Sequence, residues 1–365
     1  MSEKVWFITG ASRGFGRIWA EDALKRGDKV VATARSLAAI APLADEFGDA
    51  VLPLALDVTN RDQVADVVAK AHAHFGRLDI VLNNAGYALI GAIEEGSEAE
   101  VRAEFDTNVF GPLTVIQAAL PLLRAQHSGH IIGVSSVAGV YAGPIIGFYH
   151  ASKWAFEALH ESLSKEVAQF GIKVTLLEPG PYATDFSSQS SLKLATGIDA
   201  YAETRAQVFA SGASTKFGDP AATSAALFKV VDSAEPPLRI FLGTEGLPVA
   251  RAAYARASRR LGSLGGCFEC SPRRAQETSP RPLMGWSMRL ERLRPSLMLA
   301  NCELAACGQE ILSETDRRWA ERVRPAFPES TRHGHTCDLN EPAAFRNTPR
   351  PPERHRILLR QQVRA

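Results

Sequence analysis

The sequence predicts an α/β protein whose core is a doubly wound, parallel, seven-stranded sheet. Over residues 1–260, seven short apolar runs alternate with segments of helical length, a pattern that implies right-handed crossovers between parallel strands. The runs are continuously apolar instead of alternating apolar and polar, which is typical of strands covered by helices on both faces. In such a sheet we expect the ligand site at the carboxyl ends of the strands.

Predicted strands and helices alternate along this part of the chain. The strands are Val5–Thr9, Lys29–Ala34, Val51–Leu56, Leu78–Leu82, His130–Ser135, Lys173–Leu177 and Arg239–Leu242. The first helix runs from a glycine-rich turn toward Arg26, and the others are Leu37–Phe47, Arg61–Phe75, Glu98–Gln126, Tyr149–Phe170 and Pro220–Val231. The segment from Phe186 to about Phe217 is polar and carries little fold pattern.

A change of composition near residue 260 predicts two regions of different character. All five cysteines lie in residues 261–365, together with 17 arginines, 12 acidic side chains and no lysine. Residues 1–260 hold 24 basic and 28 acidic side chains, so the net charge of +1 is a cancellation between two unlike parts. We expect residues 1–260 to form one packed domain and the Arg- and Pro-rich tail, residues 261–365, to be largely disordered.

The tail is not expected to carry a site of its own. Cys267 and Cys270 have the spacing of half a zinc or redox site, but a second pair at matching spacing is missing, so we predict no metal. Acids and prolines interrupt the arginine-rich stretches, which argues against nucleic acid binding. One hypothesis is that the tail is out-of-frame or read-through sequence. An intact mass matching all 365 residues in the native cell would contradict it.

Charge and hydropathy argue against two further classes of partner. A net charge of +1 provides no overall attraction to nucleic acid or to an anionic membrane. No apolar run reaches the ~18–20 residues that span a bilayer. The first eight residues run into a strand without the pattern of a signal peptide, so we expect a cytoplasmic location.

A glycine-rich turn between the first strand and the first helix is the first candidate ligand site. Glycine permits positive φ and close approach of backbone to phosphate, and a helix N-terminus offers unpaired N–H groups to an anion. The turn therefore predicts a phosphate cradle, with a tight turn that binds nothing as the alternative. The residues expected in the cradle are Gly10, Ser12, Arg13, Gly14, Phe15 and Gly16.

Three motifs in order resemble the short-chain dehydrogenase/reductase family, in its non-extended branch. The spacing Gly-x-x-x-Gly-x-Gly is followed by Asn83-Asn84-Ala85-Gly86 and then by Tyr149-His150-Ala151-Ser152-Lys153, within residues 4–250. The resemblance implies a Rossmann fold, a nicotinamide cofactor and a homo-oligomer. Epimerases and dehydratases of the extended branch share the last motif, but their glycine spacing usually differs.

The end of the second strand predicts NADP(H) as the cofactor. An acid there would accept hydrogen bonds from the 2′-hydroxyl of NAD, whereas this chain has Arg35. Arg35 and Arg13 can bracket a 2′-phosphate, unless either is simply a solvated surface charge. The resemblance places Asp57 and Val58 at the adenine and Asn83 on the adenosine side. It implies further cofactor contacts for Ala85, Gly86, Pro179, Gly180 and Thr184.

Tyr149 and Lys153 are the predicted catalytic pair. They are four residues apart and so share one face of a helix. A neighbouring ammonium group favours the phenolate, so we expect a lowered pKa for Tyr149. Tyr149 would then exchange a proton with the substrate oxygen, and Lys153 would also hold the ribose hydroxyls of the cofactor.

Two further residues complete the predicted catalytic set by resemblance. Ser136, 13 residues before Tyr149, would orient and polarise the carbonyl group. Its neighbour Ser135 is the competing candidate, because adjacent residues of a strand point to opposite faces. Asn108 matches the family's helix asparagine, which anchors a water on the proton path to the lysine.

The expected substrate pocket surrounds the connection between Ser136 and Tyr149. Its other members are Val137, Tyr141, Ile145, Ile146 and Phe148. These side chains carry no charge, which favours an uncharged, fairly hydrophobic ketone, aldehyde or secondary alcohol. The ring of Tyr182 could reach into the site or pack outward. By resemblance, the segment from Phe186 to about Phe217 forms a mobile lid.

The sequence therefore predicts an NADP(H)-dependent oxidoreductase acting on a small-molecule carbonyl or alcohol. The alternative is a catalytically silent NADP(H)-binding sensor. The filled catalytic positions favour the enzyme, because a sensor has no need of them.

Overall fold

A computed structural model of the chain describes residues 3–188, 191–213 and 215–264. These residues fall within the first of two compact units, Met1–Ser271. The cysteines, the arginine-rich stretches and the other predicted features of the tail beyond residue 264 lie outside the described residues. Within the described part, no helix is both long and apolar enough to cross a membrane.

The central sheet has seven parallel strands, which confirms the predicted fold class. Its strands are β1 (Val5–Thr9), β2 (Lys29–Ala34), β3 (Val51–Ala55), β4 (Ile80–Asn83), β6 (Gly129–Val134), β7 (Ile172–Pro179) and β9 (Arg239–Leu242). They lie in the order β3-β2-β1-β4-β6-β7-β9. Two short strands, β5 (Ala88–Ile90) and β8 (Leu192–Leu194), form a separate parallel pair.

Helices cover both faces of the sheet. They are α1 (Gly14–Lys25), α2 (Ala41–Phe47), α3 (Arg61–Phe75), α4 (Glu98–Phe105), α5 (Gly111–Gln126), α6 (Gly147–Val167), α7 (Ala202–Ala213), α8 (Ser224–Asp232) and α9 (Gly246–Leu264). Trp6 and Ile8 of β1 enter the core under α1 and α8, while Phe7 enters the opposite core under α3 and α5. Burial of both faces explains why the strands read as continuous apolar runs.

The predicted long helix Glu98–Gln126 is divided in the structure. A π-helical turn, Asp106–Phe110, separates α4 from α5. Pro112 follows it in the first turn of α5. Because proline has no N–H and its ring crowds the carbonyl group four residues earlier, the regular hydrogen-bond ladder cannot pass this point.

The segment predicted to be pattern-poor contains both β8 and α7. Strand β8 has only three residues, and its pairing partner β5 lies about a hundred residues earlier in the chain. Because both strands are so short, no local periodicity predicts either of them. Helix α9 also had no prediction, and it continues past residue 260, where the composition changes.

Candidate active site

A cavity of about 1400 Å³ opens at the carboxyl ends of the central strands and collects most of the predicted site residues. Those that line it are Gly10, Ser12, Arg13, Gly14, Phe15, Arg35, Asp57, Val58, Ala85, Gly86, Ser136, Tyr141, Tyr149, Lys153, Pro179, Gly180, Tyr182 and Thr184. The predicted residues Gly16, Asn83 and Asn108 are not part of the lining.

The glycine turn is shaped by two glycines in the left-handed region and by one close approach. Gly10 and Gly14 have φ of +69° and +56°. A Cβ atom on Gly16 would lie 2.4 Å from the carbonyl oxygen of Gly10, so only glycine permits the packing of the turn at this position. The side-chain amide of Asn84 braces the turn by donating to the carbonyl oxygens of Thr9 and Gly10, at 3.0 and 3.1 Å.

Asn83 and Asn84 turn their side chains to opposite sides at the end of β4. Asn83 was predicted to approach the adenosine, but it is 2% exposed, and its side-chain N and O atoms have no hydrogen-bond partner among the described residues. Asn84 lines the cavity and also braces the turn through its bonds to Thr9 and Gly10. The reason is the alternation of side chains at the end of β4, which turns consecutive residues to opposite sides.

Basic side chains gather around the cavity. Arg13 and Arg35 line it as predicted, and the guanidinium group of Arg13 donates to the Ser191 hydroxyl at 2.7 Å. Lys193 and Lys216 line it as well, with the Lys193 Nζ 4.3 Å from the centroid of the Tyr87 ring. The lining of the cavity therefore combines these four basic side chains with apolar residues of the predicted substrate pocket.

Two apolar residues expected in the pocket, Ile145 and Phe148, are not in its lining. Val137, Tyr141 and Ile146 are in the lining, as predicted.

Tyr149 and Lys153 lie on consecutive turns of α6 with their functional groups close together. The Lys153 Nζ lies 5.6 Å from the centroid of the Tyr149 ring and donates to the carbonyl oxygen of Val134 at 2.9 Å. Burial lowers the pKa of Lys153 to about 8, while Glu157 and Glu104 act in the opposite direction.

The pKa of Tyr149 departs from the sequence-based expectation. Burial raises this pKa, and the hydrogen bond with the Ser136 hydroxyl only partly offsets the effect. The expected lowering is therefore absent from the protein by itself. The phenol keeps its proton at neutral pH, the form that can act as an acid.

Ser136 and Ser135 point in different directions. Ser136 begins a short 3₁₀ turn, and its hydroxyl accepts from the Ala138 N–H at 3.1 Å beside Tyr149. The Ser135 side chain is buried against the carboxyl group of Glu157 on α6. The structure thus brings Ser136, and not Ser135, to the phenol of Tyr149.

Asn108 lies in the π-helical turn, and its side chain supports the site without lining the cavity. Its amide nitrogen donates to the Tyr87 carbonyl oxygen at 2.8 Å and to the Ser152 hydroxyl at 3.0 Å. Its amide oxygen accepts from the Tyr87 N–H at 3.0 Å. The side chain is 1% exposed and links the segment after β4 directly to α6.

The ring of Tyr182 packs toward the glycine turn. Its centroid lies 5.3 Å from that of Phe15 in an edge-to-face arrangement. The aromatic ring that lies against Tyr149 is that of Phe186, and the two ring centroids are 5.7 Å apart. In the sequence, Phe186 marks only the start of the predicted lid. Its aromatic side chain, two residues after the predicted site residue Thr184, is the signal that could have identified it as part of the site.

His150 is a residue of the site that sequence reasoning passed over. Its Nδ1 contacts the Ala138 carbonyl oxygen at 2.8 Å, and its Nε2 accepts from the Gly143 N–H at 3.1 Å. Burial lowers the pKa of His150, so the ring is neutral and acts as a clamp on the loop before α6. Its position next to Tyr149 was the only signal.

Acidic and histidine residues do not cluster into a metal site within the described residues. The cavity instead combines a glycine-lined helix N-terminus with a tyrosine–lysine pair. Fold and site together define the chain as a nucleotide-dependent oxidoreductase. The sequence profile described as short chain dehydrogenase matches residues 4–195, and the chain belongs to this family.

Two relatives share most of their length with this chain. It is 41% identical over 254 residues to "Oxidoreductase BOA17" of Botryotinia fuckeliana, covering 68% of this chain and 92% of that protein. It is 35% identical over 264 residues to "3-ketodihydrosphingosine reductase" of Bacteroides thetaiotaomicron, covering 72% and 94% of the two chains.

Solved structures agree with the fold and differ in cofactor. A short-chain dehydrogenase from Streptomyces avermitilis has 36% identity and a TM-score of 0.69, with 73% of this chain and 97% of that chain covered. One from Burkholderia cenocepacia was solved with NADP (25%, TM-score 0.58, 72% and 98% covered). One from Burkholderia phymatum was solved with NAD (26%, TM-score 0.60, 77% and 99% covered).

Proposed function

We propose that this chain transfers a hydride between NADP(H) and a carbonyl or secondary alcohol, with Tyr149 as general acid and base. Tyr149, Ser136 and Lys153 meet in the same cavity as the glycine turn. A protonated phenol can donate the proton that carbonyl reduction consumes, the neighbouring hydroxyl can polarise the carbonyl group, and the adjacent amine can stabilise the phenolate.

The residues of the cavity fit a dinucleotide with an additional phosphate. Gly10 and Gly14 adopt positive φ and keep the turn before α1 free of side chains, which leaves the helix N-terminus open to a diphosphate. Arg13 and Arg35 would hold the 2′-phosphate, and Lys153 the nicotinamide ribose. When bound, the cofactor supplies or accepts the hydride. The Burkholderia cenocepacia structure, solved with NADP, supports this assignment. The Burkholderia phymatum structure was solved with NAD, so the preference between the two cofactors has to be measured for this chain.

The protein's own groups then account for the proton. Ser136 hydrogen-bonds the substrate oxygen and orients it toward the phenol of Tyr149. Tyr149 donates its proton to that oxygen during reduction and takes it back during oxidation. Lys153, when charged, stabilises the phenolate that remains. The Phe186 ring, with its centroid 5.7 Å from that of Tyr149, adds apolar surface beside the phenol.

The proposed substrate is an uncharged, fairly hydrophobic small molecule. Val137, Tyr141, Ile146 and Phe186 supply apolar surface next to Tyr149. The Bacteroides relative, a "3-ketodihydrosphingosine reductase", is named as a reductase of a ketone, which agrees with a carbonyl substrate. We further propose a homo-oligomer in the cytoplasm, which size-exclusion chromatography with light scattering and cell fractionation would test.

The replacement Tyr149→Phe tests the general acid directly. We expect it to lower kcat for NADPH-dependent reduction across a ketone and aldehyde panel by about a thousandfold or more, because positioned proton transfer contributes roughly 10²–10⁴-fold. NADPH binding, followed by cofactor fluorescence, should stay within about twofold, since only a hydroxyl is removed. Tyr141→Phe, at the rim of the same cavity, is the matched control.

Unchanged turnover in the Tyr149→Phe variant would contradict the proposed role of the phenol. NADPH binding by the wild-type chain without turnover of any tested carbonyl would favour the sensor alternative instead.

A further inference from the structure

Three carboxyl groups surround the guanidinium group of Arg239 at the edge of the central sheet. Arg239 begins β9, and its Nε lies 2.9 Å from the Glu157 Oε2 and 3.4 Å from the Glu178 Oε1. A terminal nitrogen of the same guanidinium group donates to the Glu161 Oε2 at 2.9 Å. Glu157 and Glu178 are 4% and 0% exposed, whereas Glu161 is partly exposed. The proposed chemistry leaves these four charged side chains without a role.

Glu157 also packs against the 3₁₀ turn Val137–Gly139 (the serine turn), which Ser136 begins. A Cβ atom on Gly139 would lie 2.8 Å from the Glu157 Cγ and 2.9 Å from the Glu157 Oε1, so only glycine permits this close approach. The Gly139 N–H donates to the Ser136 carbonyl oxygen at 2.8 Å. Two direct contacts therefore connect the Glu157 carboxyl group to the backbone of Ser136.

Ser135 brings its hydroxyl group to the same place. Its Oγ lies 2.8 Å from the position of that Cβ atom on Gly139, beside the Glu157 carboxyl group. Neither the Ser135 Oγ nor the Glu157 Oε1 has a hydrogen bond of standard geometry among the described residues. Burial raises the pKa of Glu157, and the Ser135 hydroxyl acts against that rise. A buried hydroxyl donor and a buried carboxylate acceptor therefore complement each other.

The place of Ser135 determines where Ser136 points. The backbone at Ser136 is extended, with φ −170° and ψ 161°, and consecutive side chains of an extended chain point to opposite sides. Because Ser135 faces Glu157, Ser136 faces the phenol of Tyr149.

Arg239 keeps the Glu157 carboxyl group in this place. Burial raises the pKa of Glu178 to about 8, so this third carboxyl group is mostly neutral at pH 7. The guanidinium charge is therefore left to Glu157 and Glu161, with which it forms charge-assisted bonds. Arg239 thus ties β9 to α6, and Glu157 ties α6 to the serine turn.

We propose that Glu157, held by Arg239, is a positioning residue for carbonyl reduction. It keeps the Ser135 hydroxyl on the far side of the serine turn and so presents Ser136 to Tyr149 and the substrate oxygen. The inference rests on the proposed role of Ser136 in polarising the carbonyl group. Its structural part, the support of the serine turn, can be measured without turnover.

Hydrogen exchange at the backbone amides of residues 138–140 tests the support of the serine turn. Glu157→Leu keeps much of the side-chain volume but removes the bond with Arg239 and the acceptor for Ser135. We expect these amides to exchange about fivefold faster or more, because the loss of a hydrogen bond to a charged group loosens the backbone it supports. Glu161→Leu is the matched control, since it removes a bond of the same length with Arg239 one helical turn further along α6. Its exchange should stay within about twofold of the wild type.

Two milder variants separate polar support from packing. Glu157→Gln keeps an oxygen that can accept from Arg239 and from Ser135, so its exchange should stay closer to that of the wild type than that of Glu157→Leu. Arg239→Gln leaves Glu157 in place without its ion pair and should also speed exchange in the serine turn, which decides the question if Glu157→Leu does not fold. Equal acceleration in Glu157→Leu and Glu161→Leu would overturn the proposal, as would unchanged exchange in Arg239→Gln.

Kinetics test the consequence for Ser136. Glu157→Leu should lower kcat for carbonyl reduction by about tenfold, part of the roughly 10²–10³-fold that removal of a polarising donor costs, and leave the KM for NADPH within about twofold. Adding Ser135→Ala to Glu157→Leu should cause no further loss, because both substitutions remove the same contact.

Additive losses in that double variant would overturn the proposal, as would full turnover in a Glu157→Leu variant whose serine turn exchanges faster. A wild-type chain that reduces no carbonyl would contradict the proposed function, and the exchange measurements would still decide whether Glu157 supports the serine turn.

Discussion

The two arginines at the cofactor end of the cavity differ in their surroundings. Arg13 is held by the Ser191 hydroxyl, whereas Arg35 is exposed after β2 and lines the same cavity. Arginine forms charge-assisted, bidentate hydrogen bonds to phosphate, and an NADP 2′-phosphate would compete with Ser191 for Arg13. Cofactor preference is therefore a property of a few side chains and can be tested one residue at a time.

Replacement of Arg35 by alanine should change cofactor preference without harming the fold. The wild-type chain is expected to prefer NADPH over NADH by at least about tenfold in kcat/KM, and Arg35→Ala should remove most of that preference, because charge-assisted phosphate contacts are worth roughly 1.5–3 kcal/mol. Arg61→Ala, an exposed arginine outside the cavity lining, is the control. A wild-type preference for NADH, or equal use of both cofactors, would refute the assignment.

One buried carboxylate, that of Glu95, anchors the segment that carries β8 and α7. The Glu95 Oε1 and Oε2 accept from the guanidinium group of Arg205 at 2.5 and 2.9 Å. The same oxygens accept from the N–H groups of Ile198 and Ala92. The hydrogen bonds with Arg205 are the largest cause of a Glu95 pKa lowered to about 2, so this anchor is ionised at any physiological pH.

Glu95→Gln should loosen that segment while leaving the catalytic groups in place. We expect a rise of about fivefold or more in the KM for the carbonyl substrate and a smaller change in kcat, because charge-assisted bonds are about twice as strong as neutral ones. Limited proteolysis within residues 191–213 should become faster. Glu94→Gln, which weakens only the exposed contact with the Tyr201 hydroxyl, should have a lesser effect on both measurements. Equal effects of the two variants would contradict the anchoring role.

All residues that line the cavity come before the Arg- and Pro-rich tail in the chain. The lining residues extend from Gly10 to Val249, and α9, the last described element, ends at Leu264. Helix α9 passes through the composition change at residue 260, so a boundary drawn from composition alone would cut it.

A chain ending after residue 264 should therefore fold and retain activity. We expect its circular dichroism to match that of the full chain apart from the lost residues, and its kcat/KM with NADPH to stay within about threefold, less than 1 kcal/mol. Loss of folding or of oligomerisation in the shortened chain would show that residues 265–365 contribute to the domain.

The fold class and the main site motifs could be read from the sequence because their signals are local. Continuous apolar strands such as Val5–Thr9, the glycine turn and the four-residue spacing of Tyr149 and Lys153 each depend on neighbouring residues only. The break in the helix Glu98–Gln126 is also local, since Pro112 marks it, but the long apolar pattern concealed it.

Other features of the site depend on contacts between residues that are far apart in the chain. The pairing of β5 with β8 and the bond from Glu95 to Arg205 each join residues about a hundred positions apart. Burial raises the pKa values of Tyr149 and Glu104, and no local sequence pattern indicates either effect. Local sequence patterns thus suffice to predict a parallel sheet, a glycine-rich turn and a tyrosine–lysine pair. The tertiary structure decided which side chains face the cavity, because burial and long-range contact arise only when the chain has folded.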